Sequence, residues 1–490
     1  MTLPTERSAH FIDGGWVRPA TGGAIEVINP ATGLVFGRAP DASRDDMEAA
    51  VVAARRAFDA GPWPRMAAAE RAAILKRMAD YLMARADETT RLIIQEMGAP
   101  ISFLSRGGAG PAAMLNYYAD LAAQGEAAEP RQGLAAPYLV RREPVGVVAA
   151  IVPWNGPLFL LLAKCAPAMA AGCTIVAKPA PETPLDGFIL ADAAEAAGLP
   201  PGVLNIVPGG REAGEFLVSH PLVDKVSFTG STAAGRRIGE ICGRDLRRCG
   251  LELGGKSAAI ALDDADPATV AEYAIPLGLG FNSGQACAAL TRIVVPRARQ
   301  SEFVDALSAK VAELRVGDPM DTATMIGPMV AERQQQRVQS YIDGARASGT
   351  PIAAGGKHSP DWGAGWFVAP TLFYDVANDS RIAQEEVFGP VGVVIPYDGD
   401  DEVALSIAND SPYGLAGAVF SADPVRGYAA IKRLRAGTVG FNNFAIDFTA
   451  PFGGFKASGL GREMGREGLA QYHELKTVTG LAAEPLHTAA

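Results

Sequence analysis

Histidine and cysteine are scarce in this chain: its 490 residues include five of each. The histidines are scattered, and none lies beside a cysteine or a carboxylate pair at ligand spacing. The cysteines (Cys165, Cys173, Cys242, Cys249 and Cys287) are odd in number and follow no metal spacing. Neither a disulfide framework nor a zinc site is suggested, and no metal is expected. Runs of basic residues are missing, and the formal net charge is −10. A nucleic acid or an anionic membrane would need a clustered basic face, so neither is an expected partner. Long apolar runs are missing too. The most apolar stretch, Leu158 to Ala171, carries Lys164 and Pro167 and is too short to span a bilayer. Met1 to His10 lacks the apolar core of a secretory leader, so a reducing cytoplasm is the expected location. Also absent are the G-x-G-x-x-G dinucleotide fingerprint and a Walker lysine.

What is present is the composition of an ordinary globular enzyme, 48% hydrophobic and 20% charged. The length exceeds what one core fills, so two or more domains are expected. Residues 1–40 read as short strands and turns. Helical periodicity follows over Asp45 to Ala60 and Ala67 to Met97, stopped by Gly98 and Pro100. A Gly-rich break runs from Arg106 to Pro111, and residues 122–142, which fit neither period, read as a hairpin arm. From Val145 the pattern becomes strands (Val145–Pro153, Thr174–Lys178, Val203–Val207, Lys225–Thr229) alternating with helices. A second alternation has strands at Arg292–Val295, Val391–Pro396, Gly417–Phe420 and Thr438–Phe441. The fold class expected is α/β, two parallel-sheet domains with a seam near 253–260.

Several segments carry chemistry. Phe281 to Ala288 places Cys287 between Ala286 and Ala288 with Gly284 nearby, an uncrowded thiol that a substrate carbon could reach. Free cysteine is also commonly buried and inert, and the octapeptide alone leaves both readings open. Pro153-Trp154-Asn155-Gly156-Pro157 ends a strand, and an amide held stiffly between prolines suits a developing oxyanion, or an Asx-turn. Glu252 lies between Leu251 and Leu253, and apolar surroundings raise a carboxylate toward general-base range. Phe228 to Gly235 follows a strand and opens a helix. Gly230 and Ser231 there fit either a pyrophosphate or a plain tight turn. Lys178 ends another strand, solvated or reaching a ribose or phosphate. Glu385 to Pro390 and the Gly-rich Pro451 to Gly459 complete the set.

Taken in order, Pro153–Pro157, Lys178–Pro179, Phe228–Gly235, Glu252–Lys256, Phe281–Cys287, Glu386–Pro390 and Pro451–Gly461 resemble the aldehyde dehydrogenase superfamily over essentially the full length. The resemblance implies a Rossmann-like cofactor domain (1–121 and 143–253), an α/β catalytic domain (254–455) and a bridging element (122–142 and 471–490) that assembles a homodimer or homotetramer. It implies Cys287 as nucleophile, Glu252 as general base, and Asn155 with the Cys287 N–H as oxyanion donors. Cofactor contacts are implied for Ile151, Pro153, Trp154, Lys178, Gly210, Phe228, Gly230, Ser231, Leu253, Glu386 and Phe388. The substrate pocket is assigned to Phe159, Ala288, Phe444 and Phe452, with Phe448 near. NAD is the expected cofactor. Pro181 stands where many members have a ribose-binding glutamate, with Glu182 one step later, so NADP stays open. Ala286 replaces a frequent second cysteine, and Gly156 replaces a bulky aromatic at the pocket mouth, implying a wider entrance.

The expected reaction is oxidation of an aldehyde through a thiohemiacetal and a thioester on Cys287, hydrolysed with Glu252. The apolar pocket positions favour a hydrophobic or aryl aldehyde. Two alternatives are weighed against it. One is transfer of the acyl group to coenzyme A, against which Glu252 argues. The other is a silent structural or binding member, against which the joint presence of Cys287, Glu252 and Asn155 argues.

Overall fold

The computed structural model describes residues 4–105, 110–125 and 128–480. Four residues of the expected Gly-rich break (106–109), two of the expected arm (126–127) and the tail 481–490 lie outside the described residues. Two large sheets organise the molecule. In the first, eight strands run in the order Gly459–Leu460, Arg248–Glu252, Lys225–Thr229, Val147–Ile151, Thr174–Lys178, Leu204–Ile206, His10–Ile12 and Gly15–Val17. The five from Arg248–Glu252 to Leu204–Ile206 are parallel, and all are buried but for the start of the first, exposed at Arg248 and half-buried at Cys249. The chain begins this parallel set in the middle, at Val147–Ile151, winds outward through Thr174–Lys178 and Leu204–Ile206, and then returns to Lys225–Thr229 on the other side. The crevice between Val147–Ile151 and Lys225–Thr229 is therefore a topological switch point, where open α/β sheets place ligands at strand carboxyl ends.

The second sheet has seven strands: Ile352–Gly355, Thr371–Phe373, Val391–Tyr397, Arg292–Pro296, Ala258–Ala261, Ala416–Phe420 and Thr438–Phe441. All pairs are parallel but the first. The chain leaves the first sheet at Glu252 and enters the second at Ala258. Strand Gly459–Leu460 then returns to the first sheet, antiparallel to Leu251 and Glu252. A third sheet is an arm, in which Glu129–Gln132 and Pro137–Pro144 form a hairpin and His473–Val478 pairs with the latter.

Five strands of the two large sheets escape the sequence reading: Ile352–Gly355, Thr371–Phe373, Gly459–Leu460, Arg248–Glu252 and Ala258–Ala261. Arg248–Glu252 begins with charge and contains glycine, and Ala258–Ala261 is nearly all alanine; both compositions are poor in strands generally. At the centre of a sheet covered on both faces, small side chains are what close packing admits. The helix expected over Ala67 to Met97 is two, Ala68–Ala84 and Ala86–Met97, broken at Arg85 with φ −119° and ψ 16°. The apolar stripe continues across this single-residue break, so periodicity does not reveal it. Gly98 ends the second helix at φ 80°, a left-handed conformation that glycine adopts without steric cost. Among the described residues, no helix is long and apolar enough to cross a membrane.

Candidate active site

The loop before Cys287 is held in a costly conformation. Asn282 (φ 51°), Ser283 (φ 58°) and Gly284 (φ 72°) are left-handed in succession, and each non-glycine residue there costs about 1–2 kcal/mol. Hydrogen bonds fix it. Asn282 Nδ2 donates to the Asn155 carbonyl at 2.8 Å, Gly327 N donates to Ser283 Oγ at 2.8 Å, and Val330 N donates to Gln285 Oε1 at 3.0 Å. A methyl group on Gly284 would lie 2.1 Å from the Gly389 carbonyl oxygen, so no side chain fits where the two loops cross. The loop is thus pinned on three sides, and Cys287 is largely buried on a cavity wall.

That cavity has a volume of about 970 Å³, at the upper end of what drug-sized ligands occupy. Asn155, Cys287, Phe159, Ala288, Phe444 and Phe452 all line it, as does Phe448. Among the described residues, no charged side chain does. Asn155 follows the strand Val147–Ile151 and precedes a helix, Pro157–Ala171, that starts on proline. Its Nδ2 donates to the Gln285 carbonyl at 3.0 Å, which uses one of the two N–H groups of the amide. Burial first, then the charges of Glu386 and Glu252, push the Cys287 thiol up to about 12, while the backbone N–H groups of Cys287 and Ala288 pull it down.

Glu252 ends its strand and is buried, and neither carboxylate oxygen has a partner. Burial and the neighbouring Glu463 raise it well above the usual carboxylate range, opposed by Lys164 and Arg462. Its carboxyl packs against Gly453, where an added Cβ would stand 2.5 Å from Oε1. It is not part of the cavity wall. The expected convergence of three groups around one void is met by Asn155 and Cys287, with Glu252 behind them.

Sequence reasoning missed what stands beside Glu252. Lys164 is fully buried, ion-paired with Glu463, and donates to Thr229 Oγ1 at 2.7 Å. Ser227 Oγ donates to Glu463 at 3.3 Å, and Tyr472 OH donates to Ser227 Oγ at 3.2 Å. The available signal was a lone lysine in a helix with no polar face. A buried lysine needs a buried partner.

The expected cofactor residues gather at the carboxyl ends of the first sheet. Ile151, Pro153 and Trp154 end one strand, and Phe228, Gly230 and Ser231 end its neighbour across the switch point. Ser231 caps the helix Thr232–Arg244, accepting from Ala234 N at 3.3 Å. Nothing lies within 4 Å of a Cβ built on Gly210, at the start of helix Arg211–Ser219. Lys178 Nζ donates to the carbonyls of Gly209 at 2.7 Å and Pro179 at 3.2 Å, and burial lowers it to about 8. Leu253 packs on Gly235, leaving no room for a Cβ there. From the second sheet's side, Glu386 Oε1 accepts from Gly255 N at 2.9 Å, and burial raises it to about 7. The Phe388 ring stands edge-on to Trp154, centroids 5.4 Å apart. A capped helix N-terminus at a switch point, with open space at Gly210, fits a dinucleotide. Glu182 is ion-paired with Arg333. Among the described residues, no cluster of three or more metal-ligating side chains occurs.

The sequence model of the aldehyde dehydrogenase family matches residues 16–478. The chain is 46% identical over 470 residues to a geranial dehydrogenase of Castellaniella defragrans, covering 96% of this chain and 98% of that one. It superposes on a Mycobacterium tuberculosis aldehyde dehydrogenase complexed with NAD+ with TM-score 0.92 and 46% identity, covering 97% and 98% of the two chains. An aldehyde dehydrogenase of Pseudomonas syringae in complex with NAD+ and octanal matches with TM-score 0.93 and 36% identity, covering 99% of each. The chain belongs to the aldehyde dehydrogenase family and is an NAD-dependent oxidoreductase that converts an aldehyde to the acid.

Proposed function

We propose that Cys287 is the nucleophile, Asn155 and the Cys287 N–H the oxyanion donors, and Glu252 the base that activates water. The sulfur attacks the aldehyde carbon at the cavity wall. The developing oxyanion meets the second Asn155 N–H and a backbone amide in a site without competing charge. NAD(P)+ would be held at the switch point by Trp154, Phe388, Glu386, Lys178 and Ser231 with its helix N-terminus, and would supply the hydride acceptor. The tetrahedral adduct loses its carbon-bound hydrogen as hydride and becomes a thioester on Cys287. Glu252 has no hydrogen bond to break before turning toward that thioester, and its raised affinity for protons suits a base that takes one from water. The observation carrying this reading is Cys287 beside Asn155 on the wall of a cavity that no charged side chain lines among the described residues. Hydrolysis is favoured over transfer to coenzyme A by the position of Glu252.

The substrate is a hydrophobic or aryl aldehyde, supported by the phenylalanine-rich wall and by the geranial and octanal named for two relatives. NAD is the cofactor favoured, supported by the NAD+ complexes of two matched structures. Pro181 puts no carboxylate three residues after Lys178 and Glu182 is engaged by Arg333, so NADP is accepted as well. The division into a cofactor domain (1–121 and 143–253), a catalytic domain (254–455) and a bridging element follows the two sheets and the arm. That arm carries Leu475, 69% exposed, and an exposed edge strand, Glu129–Gln132. Both are features of a surface covered by a second copy, in a homodimer or homotetramer. Cysteines few and odd in number suit a reducing cytoplasm. Spectrophotometry with NAD and NADP over aryl and aliphatic aldehydes, with the acid product identified with and without coenzyme A, tests this reading. An acyl-coenzyme A product, or no reduction of either cofactor, rejects it.

A further inference from the structure

Two cysteines that the reaction does not use meet beneath the helix that Ser231 caps. That helix, Thr232–Arg244, packs along the strand Arg248–Glu252. Gly235, Gly239 and Cys242 share one stripe of the helix. Cys249, Leu251 and Leu253, alternating along the strand and just past its end, point to one face of the sheet. A Cβ on Gly235 would stand 2.3 Å from Leu253 Cδ2, and one on Gly239 would stand 3.7 Å from Leu251 Cδ1. The two glycines thus let the helix come down onto the strand. The next residue of the stripe, Cys242, then meets the next residue of that face, Cys249. Both pack in one apolar cluster with Val226, Ile238 and Leu251, and the Cys242 thiol donates to the Cys249 sulfur. The turn between them is fixed. Leu246 is left-handed at φ 53°, and Arg247 N donates to the Cys242 carbonyl at 2.8 Å, the closure of a Schellman cap.

The two sulfurs differ in access and in charge. Cys165, Cys173 and Cys242 are buried, whereas Cys249, like Cys287, keeps part of its surface open. The hydrogen bond from Cys242 holds the Cys249 thiol below its ordinary value, against burial and with help from the Lys225 charge. The same bond pushes Cys242 up. The open sulfur is therefore the thiolate, the nucleophilic form, and the enclosed one keeps its proton.

We infer that Cys249 and Cys242 are a redox-modification site, at which a hydroperoxide converts the two thiols to a disulfide. The Cys249 thiolate attacks a peroxide oxygen and becomes a sulfenic acid, and the O–O bond breaks. The departing hydroxide or alkoxide takes a proton from solvent. Cys242 then attacks the sulfenic sulfur, the S–S bond forms, and the hydroxyl leaves as water with the Cys242 proton. Two electrons pass from the pair of sulfurs to the peroxide. The step needs neither the substrate cavity nor Cys287. The cysteines lie toward the far ends of the helix and strand whose other ends carry Ser231 and Glu252, so the bond ties those two supports together.

The test treats the full-length enzyme with hydrogen peroxide at neutral pH, blocks the remaining thiols with iodoacetamide, and digests with trypsin without reduction. Arg244, Arg247 and Arg248 lie between the two cysteines, so cleavage leaves them on separate peptides, Ile238–Arg244 and Cys249–Lys256. Mass spectrometry is expected to find these two joined, in wild type and in Cys287→Ser alike, and to find them apart after dithiothreitol. In Cys242→Ser the sulfenic acid on Cys249 has no thiol to resolve it, and dimedone labels Cys249 about tenfold or more above wild type. Peptides that stay apart in wild type or in Cys287→Ser overturn the inference. So does dimedone labelling of Cys249 that is no greater in Cys242→Ser than in wild type.

Discussion

The side-chain amide of Asn155 donates to the backbone carbonyl of Gln285 at 3.0 Å, two residues before Cys287. The proposed oxyanion donor is therefore tied to the loop that bears the proposed nucleophile, and Asn282 ties the same two loops in the reverse direction. Two segments 130 residues apart are held as one unit, which is the preorganisation that makes such donors effective. Losing one costs roughly 2.7–4 kcal/mol of barrier. Asn155→Ala is expected to lower kcat by about a hundredfold or more while the far-ultraviolet spectrum and unfolding midpoint stay close to wild type. Asn282 Nδ2, 3.4 Å from the Gln285 carbonyl, remains to hold the loop. A variant with wild-type kcat removes Asn155 from the mechanism.

In the proposed mechanism Glu252 acts after hydride transfer, so its loss separates two phases that the wild type merges. In Glu252→Gln the first turnover is expected to reduce one cofactor per active site. Steady-state turnover then falls by about a hundredfold to ten-thousandfold, the usual range for a general base. Rapid-mixing absorbance at the reduced nicotinamide band reads both. Equal loss of the first turnover and the steady state assigns Glu252 elsewhere.

Lys164 and Glu463 are both buried and ion-paired, and removing either alone leaves an uncompensated charge, at about 3–5 kcal/mol. Lys164→Met and Glu463→Gln are each expected to destabilise by that order in urea unfolding, and the double variant by less than the sum. Glu463 also helps to hold Glu252 protonated. In Glu463→Gln that repulsion disappears while Lys164 remains, so Glu252 ionises more readily and the acid limb of the pH–kcat profile moves to lower pH. A profile that stays put with stability lost shows a purely structural role.

Leu475 projects from the arm strand His473–Val478, opposite Arg142 in the ladder, with most of its surface bare. If the arm is the assembly surface, Leu475→Glu buries a charge in each interface. Sedimentation is expected to shift the variant toward smaller species at equal concentration. An unchanged sedimentation coefficient moves the interface off this part of the arm.

The sequence made local relations visible and distant ones invisible. The Cys287 loop, the Asn155 turn and the strand Thr174–Lys178 each announce themselves within eight residues, because uncrowded thiols, stiff turns and buried strands are properties of neighbours. Lys164 and Glu463 lie 299 residues apart, and nothing in either neighbourhood names the other. Ala258–Ala261 was hidden because its strand character comes from sheet burial on both faces and not from its side chains. The break at Arg85 was hidden because a one-residue interruption keeps the stripe in phase. Placing Glu252 behind the cavity wall and not on it required knowing where Gly453 passes, again a contact between distant segments.

A second buried acidic pair sets a pH dependence of its own. Glu96 accepts from the backbone N–H groups of Leu185 and Asp186 at 2.7 and 3.0 Å, capping the helix Leu185–Ala197, and Asp186 Oδ2 beside it has no partner. Burial raises Asp186 from 3.8 to about 8, and burial with the Asp186 charge raises Glu96 well above the carboxylate range. Two buried carboxyls whose charges repel do not readily both ionise. Because the folded state then holds a proton that the unfolded chain has released, stability is full below the unfolded pKa and is lost as pH rises through the folded one. The window for Asp186 runs from about pH 4 to about pH 8. Asp186→Asn removes one carboxyl and relieves the other, so the decline of unfolding free energy across that window, measured by urea titration at successive pH values, is expected to flatten. An unaltered slope in the variant assigns the wild type's pH dependence to other groups.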